Sequence, residues 1–134
     1  MRLKKSLARL VERERVCRVG TVGRSGVPHL VPVCHVLLDG KVYFASEGDA
    51  KKVRNVRANP HATVTVDLYS EDWSNLKGVM IQGAAAVIAG GARFRKLQRA
   101  LYDKYPQYPE DAALGEGAVI VEITPRNVFS WGLE

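Results

Sequence analysis

The sequence predicts a mainly β domain in which about six strands form a largely antiparallel sheet, closed or nearly closed, with helices on its flanks. Three observations predict it. Strand-like runs mostly follow one another along the chain, Asp39-Gly40 is a strong hairpin signal between two of them, and helical spacing is confined to three segments. At 134 residues, the chain is expected to form a single domain spanning residues 1–134.

The first half of the chain predicts a helix followed by a three-stranded meander. Apolar residues recur at helical spacing within residues 2–14, at Leu3, Leu7, Leu10 and Val11. The β-rich runs that follow are residues 16–22, 27–38 and 41–46. The turn signals GRSG and Asp39-Gly40 separate these runs, so consecutive strands are expected to pair.

The second half of the chain predicts more strands and two helices. The expected strands are residues 62–69, 79–89, 118–124 and 128–131, and the expected helices are about 50–59 and 92–105. Asp49 is the expected N-cap of the first of these helices, and Pro60 ends it after Asn59. The segment YPQYPEDAALGEG is expected to be a polar connection without regular structure.

The composition is that of a soluble globular protein, and it restricts the class of partner. The net charge of +6 favours anionic partners such as nucleotides, phosphates or nucleic acid. The N-terminus MRLKKSLARLVERER lacks the apolar stretch of a secretory signal, and the apolar runs are too short to span a membrane. Two cysteines, Cys17 and Cys34, suit a reducing compartment, so a cytoplasmic location without membrane association is expected.

The helix in DAKKVRNVRANP carries the clearest candidate for anion binding. Val53 and Val56 are expected to mark its buried face, with Lys51 and Asn55 on the opposite side. One interpretation is a solvated basic helix. The other is a phosphate site, because Lys51 and Lys52 add full charges to the unpaired N–H groups and positive dipole of the first turn.

The strand in GVPHLVPVCHV is the second candidate. A regular strand puts His29, Val31, Val33 and His35 on one face. Pro32 lacks an N–H donor, which implies an edge, a bulge or a split in the sheet, where backbone groups are open to a ligand. The histidines and cysteines do not have metal-ligand spacing, so no metal site is expected, and no nucleophile signature is present.

Taken in order, several segments resemble the flavin-binding split-barrel family that includes pyridoxamine 5′-phosphate oxidase. They are GVPHLVPV, VYFAS, KKVRNVRANP, an alternating strand, VMIQGAAAVI and FSWG. The resemblance covers roughly residues 10–131. The segments DLYSEDWSNL and LYDKYPQY further resemble a branch of enzymes that use the deazaflavin F420. The resemblance implies a six-stranded antiparallel split β-barrel of the FMN-binding type.

The resemblance also implies a homodimer with two cofactors at the subunit interface, FMN or alternatively F420. Lys51 and Lys52 match the pair that grips the flavin phosphate. The strand that lines the ring matches His29, Leu30, Val31, Pro32 and Val33, and the phosphate-ribityl side matches Phe44 and Ala45. The loop that approaches the ring from the partner chain matches Lys77 and Gly78, and further matches are Gln82 and Trp131.

Two departures from the family pattern restrict the expected activity. The family's Tyr-Thr pair is Phe44-Ala45 here, which removes two hydroxyl donors, and Ser46 is the candidate replacement for one of them. The oxidase itself carries a further C-terminal segment with Arg and His for its pyridoxal substrate, which has no counterpart before Glu134. The expectation is therefore a different oxidoreductase rather than a pyridoxamine oxidase.

Three functions follow from these observations. The first is an FMN- or F420-dependent oxidoreductase acting on a small molecule, which would approach the open face of the ring near His29, His35 or Trp73. The second is a non-catalytic module that binds a flavin or a haem. The third is a nucleic-acid binder, which ranks low because the cations lie mainly on helices and the strands are apolar.

Overall fold

The computed structural model describes residues 2–133 and has the predicted six-stranded antiparallel barrel. Its helices are α1 (Lys5–Arg13), α2 (Lys51–Ala58), α3 (Gly91–Lys104) and α4 (Tyr108–Asp111), and a single 3₁₀ turn lies at Trp73–Asn75. Its strands are β1 (Val16–Val22), β2 (Pro28–Leu38), β3 (Lys41–Glu47), β4 (His61–Leu68), β5 (Lys77–Ile88) and β6 (Ala118–Trp131). The strand order β1-β2-β3-β6-β5-β4 closes on itself, which confirms the predicted fold class.

The predicted meander of β1, β2 and β3 is confirmed, with the hairpin at Asp39-Gly40. Both residues have positive φ angles, 52° for Asp39 and 76° for Gly40. A two-residue turn with two positive φ values matches the twist of the strands that it joins, and Asp-Gly tolerates that conformation well. Leu38 therefore pairs directly with Lys41.

Strands β2 and β3 pair over only part of their length, and this produces the split in the barrel. Residues 28–34 of β2 pair with β1, whereas residues 35–38 pair with β3. Beyond Phe44, β3 continues along β6 alone. Pro32 lies in the part of β2 that has one neighbouring strand, as its missing donor predicted.

The C-terminal part of the chain differs from the prediction in two places. The two expected strands at 118–124 and 128–131 are one strand, β6. The register shifts opposite Gln82 and Gly83, which pair with Asn127 and Pro125, so Arg126 has no partner in the ladder. This irregularity accommodates Pro125 without ending the strand. The segment expected to lack regular structure contains the short helix α4.

The barrel interior is apolar, and helices cover its open sides. Phe44, Ile81 and Val121 are fully buried, and α1 closes one side with Leu10 and Val11. On the outside of β2, β3 and β6, α3 packs through a second buried cluster. Within the described residues, no helix has the length and apolarity needed to cross a membrane.

A partly exposed ion pair network ties α3 to the barrel through the buried Glu122. The Tyr43 hydroxyl donates to Glu122 at 2.9 Å, Arg93 forms an ion pair with the same carboxylate, and Lys41 lies 3.8 Å away. Glu122 is 8% exposed, so these partners replace water around its charge.

Asn55 lies on the buried face of α2, so the predicted orientation of this residue is wrong. It is 2% exposed, and its Nδ2 atom donates to Oγ1 of the equally buried Thr21 at 3.1 Å. A Cβ atom on Gly23 would lie 2.3 Å from the Asn55 Oδ1 atom, so only glycine fits the adjoining turn without displacement. Apolar spacing does not reveal a polar residue that is buried with its own hydrogen-bond partner.

Candidate functional site

A cavity of about 350 Å³ opens where β2 and β3 separate, and we call it the split cavity. Its near wall consists of Pro32, Val33 and Cys34 on β2 and Ala45 on β3, with Lys52 of α2 beside them. Its far wall consists of Tyr105, Gln107, Tyr108, Asp111 and Ala112. Four residues predicted from the sequence, on three different elements, therefore meet in one cavity.

The beginning of α2 supplies the positive charge of the split cavity. The helix begins at Lys51, and its N-cap is Ala50 with no side-chain cap, so the predicted capping by Asp49 is wrong. The Ala50 carbonyl accepts hydrogen bonds from the N–H groups of Val53 and Arg54. Within residues 2–133, the N–H groups of Lys51 and Lys52 have no partner, so the first turn keeps two free donors beside an ammonium group.

The far wall of the split cavity comes from α4 and the end of α3, which sequence patterns did not assign to the site. The segment LYDKYPQY, which resembles the F420 branch, contains Tyr105, Gln107 and Tyr108 of this wall, but the resemblance did not assign them to the site. The Tyr108 ring contacts the rings of Tyr102 and Tyr105, with centroids 5.6 and 6.2 Å apart. Burial raises the pKa of Tyr108, so its hydroxyl stays protonated at neutral pH.

The remaining predicted residues on β2 and β3 do not line this cavity, and their environments differ. His29 and Val31 are half-buried, and Leu30 points outward with 67% of its surface exposed. Phe44 is fully buried in the barrel core and pairs with His35 on one side and Val121 on the other, so neither its side chain nor its backbone is exposed to a ligand. The Ser46 hydroxyl donates to the Glu47 carbonyl at 3.0 Å, which leaves its oxygen free as an acceptor.

His35 does not line the split cavity, and the expectation that a substrate would approach near it is wrong. The side chain is fully buried beneath α1, and Nε2 lies 2.7 Å from the Val11 carbonyl, to which it donates. Burial, assisted by the Lys104 charge, lowers the pKa of His35 to about 4. The imidazole is therefore neutral at physiological pH and helps to hold α1 on the barrel.

The predicted residues on β5 and β6 lie away from the split cavity. Strand β5, which carries Lys77, Gly78 and Gln82, lies three places from β2 in the six-stranded ring. Gly78 pairs with Trp131, and a Cβ atom on Gly78 would lie 2.3 Å from the indole ring. Within one chain, these residues therefore lie apart from the split cavity. Gly78 and Trp131, however, contact each other.

A second cavity lies on the other side of α2, and we call it the basic cavity. It has a volume of about 400 Å³ and is lined by Gly23, Arg24, Ser25, Lys51, Arg54, Asn55, Arg57 and Ala58. Lys51 therefore lines the basic cavity, whereas Lys52 lines the split cavity. The two lysines predicted to grip one phosphate lie at a boundary between two sites.

Metal ligation has no geometric support in the described part of the chain. Across residues 2–133, no group of three or more His, Cys, Asp or Glu side chains is arranged to hold a metal ion. Cys17 is buried, and burial raises the pKa of its thiol to about 12, so this cysteine is an unreactive core residue.

A closed six-stranded barrel that opens into a cation-bearing cavity between β2 and β3 defines a split-barrel protein. The sequence model of the family described as pyridoxamine 5′-phosphate oxidase matches residues 3–132. The chain therefore belongs to the pyridoxamine 5′-phosphate oxidase family.

Individual proteins that are similar to this chain have different functions. The 5a,11a-dehydrotetracycline/5a,11a-dehydrooxytetracycline reductase of Streptomyces rimosus subsp. rimosus is 28% identical over 122 residues, covering 87% of this chain and 74% of the reductase. The haem storage protein HutZ of Vibrio cholerae superposes with a TM-score of 0.81 at 13% identity, covering 96% of this chain and 94% of HutZ. An F420 reductase superposes with a TM-score of 0.70 at 20% identity, covering 95% and 98%. The two structural similarities establish the fold alone.

Proposed function

We propose that the protein is an oxidoreductase that uses a flavin or deazaflavin cofactor, FMN or F420, bound in the split cavity. The observation that carries this proposal is the meeting of Lys52, the first turn of α2 and the one-sided segment of β2 around one cavity. The reductase activity of the Streptomyces rimosus relative supports oxidoreductase chemistry.

The cation and donor set of the split cavity fits the phosphate of such a cofactor. A phosphate monoester carries nearly two negative charges at neutral pH. Lys52 lines the cavity and offers it the charge of its ammonium group and a backbone N–H that has no partner among the described residues. Hydrogen bonds to charged groups contribute about 1.5–3 kcal/mol each, so two or three of them account for useful affinity.

The other residues of the cavity would orient the ring and exclude water. The one-sided segment of β2 has backbone groups outside the ladder, which suits hydrogen bonding along the edge of a planar ring. Val33 and Ala45 are small apolar walls, and Tyr108 covers the opposite side. The bound cofactor would supply the hydride chemistry, and the protein supplies position and electrostatics.

We further propose that a complete site needs a second copy of the chain. Lys77, Gly78 and Trp131 lie away from the split cavity of their own chain, so they would reach the cofactor of a partner. The exposed apolar side chains support such an interface: Val16, Val27, Leu30, Phe129 and Trp131 are 42–67% exposed. A homodimer would cover surface that is costly to leave in water.

The phosphate assignment is tested by replacing Lys52 with alanine and measuring FMN and F420 affinity by fluorescence titration. Loss of one charge-assisted hydrogen bond would weaken binding roughly 10- to 150-fold. Lys96→Ala on α3 removes the same charge and serves as the control. Equal affinity in the Lys52 variant and the wild type would remove Lys52 from the site.

A second candidate is a non-catalytic module that binds a flavin or a haem, since the haem storage protein HutZ shares this fold. The two candidates separate in a reduction experiment. Purified protein loaded with FMN is titrated anaerobically with NADH, NADPH and reduced F420, and bleaching of the flavin band is followed. Failure of every donor, together with tight haem binding, would favour the module.

A further inference from the structure

A clasp of three hydrogen bonds joins the end of α3 to the short connection between α1 and β1. The Lys104 Nζ atom donates to the Glu14 carbonyl at 2.7 Å, and the Tyr105 hydroxyl donates to the Arg15 carbonyl at 2.7 Å. The Arg15 guanidinium group donates back to the Lys104 carbonyl at 3.0 Å. The charged groups of Arg15 and Lys104 also lie 5.6 and 5.4 Å from the centre of the Tyr105 ring, within the range of a cation–π contact. We call these four residues the clasp.

Tyr105 lies where the barrel divides. Its hydroxyl oxygen is also 2.5 Å from the carbonyl of His35, the first residue of β2 that pairs with β3. Tyr105 is 3% exposed, and it lines the split cavity. Burial raises the pKa of Tyr105, so its hydroxyl stays protonated and donates at neutral pH. Loss of this hydroxyl would remove one donor from two carbonyl groups, those of Arg15 and His35.

The segment that follows the clasp, residues 106–117, forms most of the far wall of the split cavity, and we call it the flap. It contains α4, which packs mainly against α3. Within the flap, Tyr108 and Leu114 are half-buried and the other residues are exposed. A segment with so little buried surface has low local stability, so it opens more readily than the strands of the barrel.

The flap is attached at both ends. At its beginning, the Tyr108 N–H donates to the Tyr105 carbonyl at 2.8 Å, so the clasp fixes the position of α4. At its end, Gly117 has a φ angle of 83°, and its carbonyl accepts a hydrogen bond from the Gly48 N–H at 3.0 Å. Gly48 lies in the loop that leads into α2. The flap therefore runs from the division of the barrel to the loop before Lys52.

We infer that Tyr105 is a positioning residue of the split cavity, because its hydroxyl anchors the flap and so holds Tyr108 against the bound ligand. The inference rests on the proposed function, which puts the cofactor in this cavity. A ligand that contacts Tyr108 binds the closed flap, so ligand binding should also slow the opening of the flap.

The test compares Tyr105→Phe with Tyr43→Phe in the full-length protein. Tyr43 is a matched control, because it is also 3% exposed, belongs to the same buried cluster under α3 and donates its hydroxyl to Glu122, but does not line the split cavity. Hydrogen exchange of each protein is measured by mass spectrometry, first without ligand and then with FMN or F420. Thermal melting verifies that both variants are folded.

Without ligand, the flap amides of Tyr105→Phe should exchange roughly 5- to 150-fold faster than those of the wild type, which is the loss of one buried hydrogen bond expressed as a change in the opening equilibrium. Those of Tyr43→Phe should exchange at the wild-type rate. With cofactor bound, Tyr105→Phe should quench the cofactor fluorescence less than the wild type and Tyr43→Phe do, because Tyr108 no longer stays beside the ring.

Two results would overturn the inference: flap exchange at the wild-type rate in Tyr105→Phe, or equal acceleration in both variants. Both results come from the protein without ligand, so they do not depend on the cofactor. Failure of the proposed function would appear separately, as wild-type flap amides that neither FMN nor F420 protects.

Discussion

Replacing Thr21 with valine should destabilise the protein, because it leaves the buried Asn55 amide without an acceptor. Both side chains are 2% exposed, and their hydrogen bond is 3.1 Å long. Valine has nearly the shape of threonine, so packing is preserved and the cost is the unpaired donor, about 1–3 kcal/mol of unfolding free energy. For a chain of 134 residues, that corresponds to a fall in the melting temperature of roughly 3–5 °C per kcal/mol.

Urea denaturation followed by circular dichroism measures this cost. The control is Thr65→Val, because Thr65 lies half-buried on β4 and has no side-chain hydrogen bond among the described residues. The double variant Thr21→Val/Asn55→Leu removes both polar partners, so it should lose less than the sum of its two single variants. A Thr21→Val protein within about 0.5 kcal/mol of the wild type, or full additivity in the double variant, would refute the reasoning.

Three further predictions concern other buried contacts. The pKa of His35 is about 4 in the folded protein, against an ordinary value near 6.5. Between these two pH values the unfolded chain binds more protons than the folded protein. The unfolding free energy should therefore fall by about 1.4 kcal/mol for each pH unit below pH 6.5. Denaturation at pH 7.5 and 5.0 should show this slope flattened in His35→Gln, and an unchanged slope would contradict the assignment. Gly78→Ala should displace the Trp131 indole, which should raise the quenching of tryptophan fluorescence by acrylamide and lower cofactor affinity. The control is Gly90→Ala, whose added Cβ atom has no neighbour within 4 Å and should change neither property. Glu122→Gln should lower the unfolding free energy by roughly 0.4–2 kcal/mol, because two ion pairs are lost whose cations are partly exposed and screened by solvent. Equal denaturation midpoints would argue against a stabilising network.

The architecture of the barrel was predictable where the conformational preference of a few residues matches the conformation that the fold requires. Asp39-Gly40 has one favoured turn type, so the β2–β3 hairpin followed from two residues. Pro32 predicted an edge, a bulge or a split, and the ladder divides two residues later, between Cys34 and His35. The continuity of β6 was not predictable, because a proline in a strand ordinarily ends it, and the compensating register shift depends on β5.

The candidate site was predictable only in part, because it depends on packing between distant elements. Residues on β2, β3 and α2 were predicted from segments that resemble the split-barrel family. The structure brings four of them, Pro32, Val33, Ala45 and Lys52, together. Spacing along one helix assigned Lys51 and Lys52 to the same ligand. The surrounding turn and strands, which spacing does not describe, divide them between two cavities.

The divided pairing of β2 has a consequence for aggregation. An uncovered strand edge is a template on which another chain can extend the sheet, and proteins protect such edges by shortening, charging or interrupting them. The split requires residues 28–34 to stay uncovered on one side if a ligand is to reach them. Because Pro32 has no amide hydrogen, an incoming strand would lack one donor within this segment, so the split can stay open without becoming a template for sheet growth.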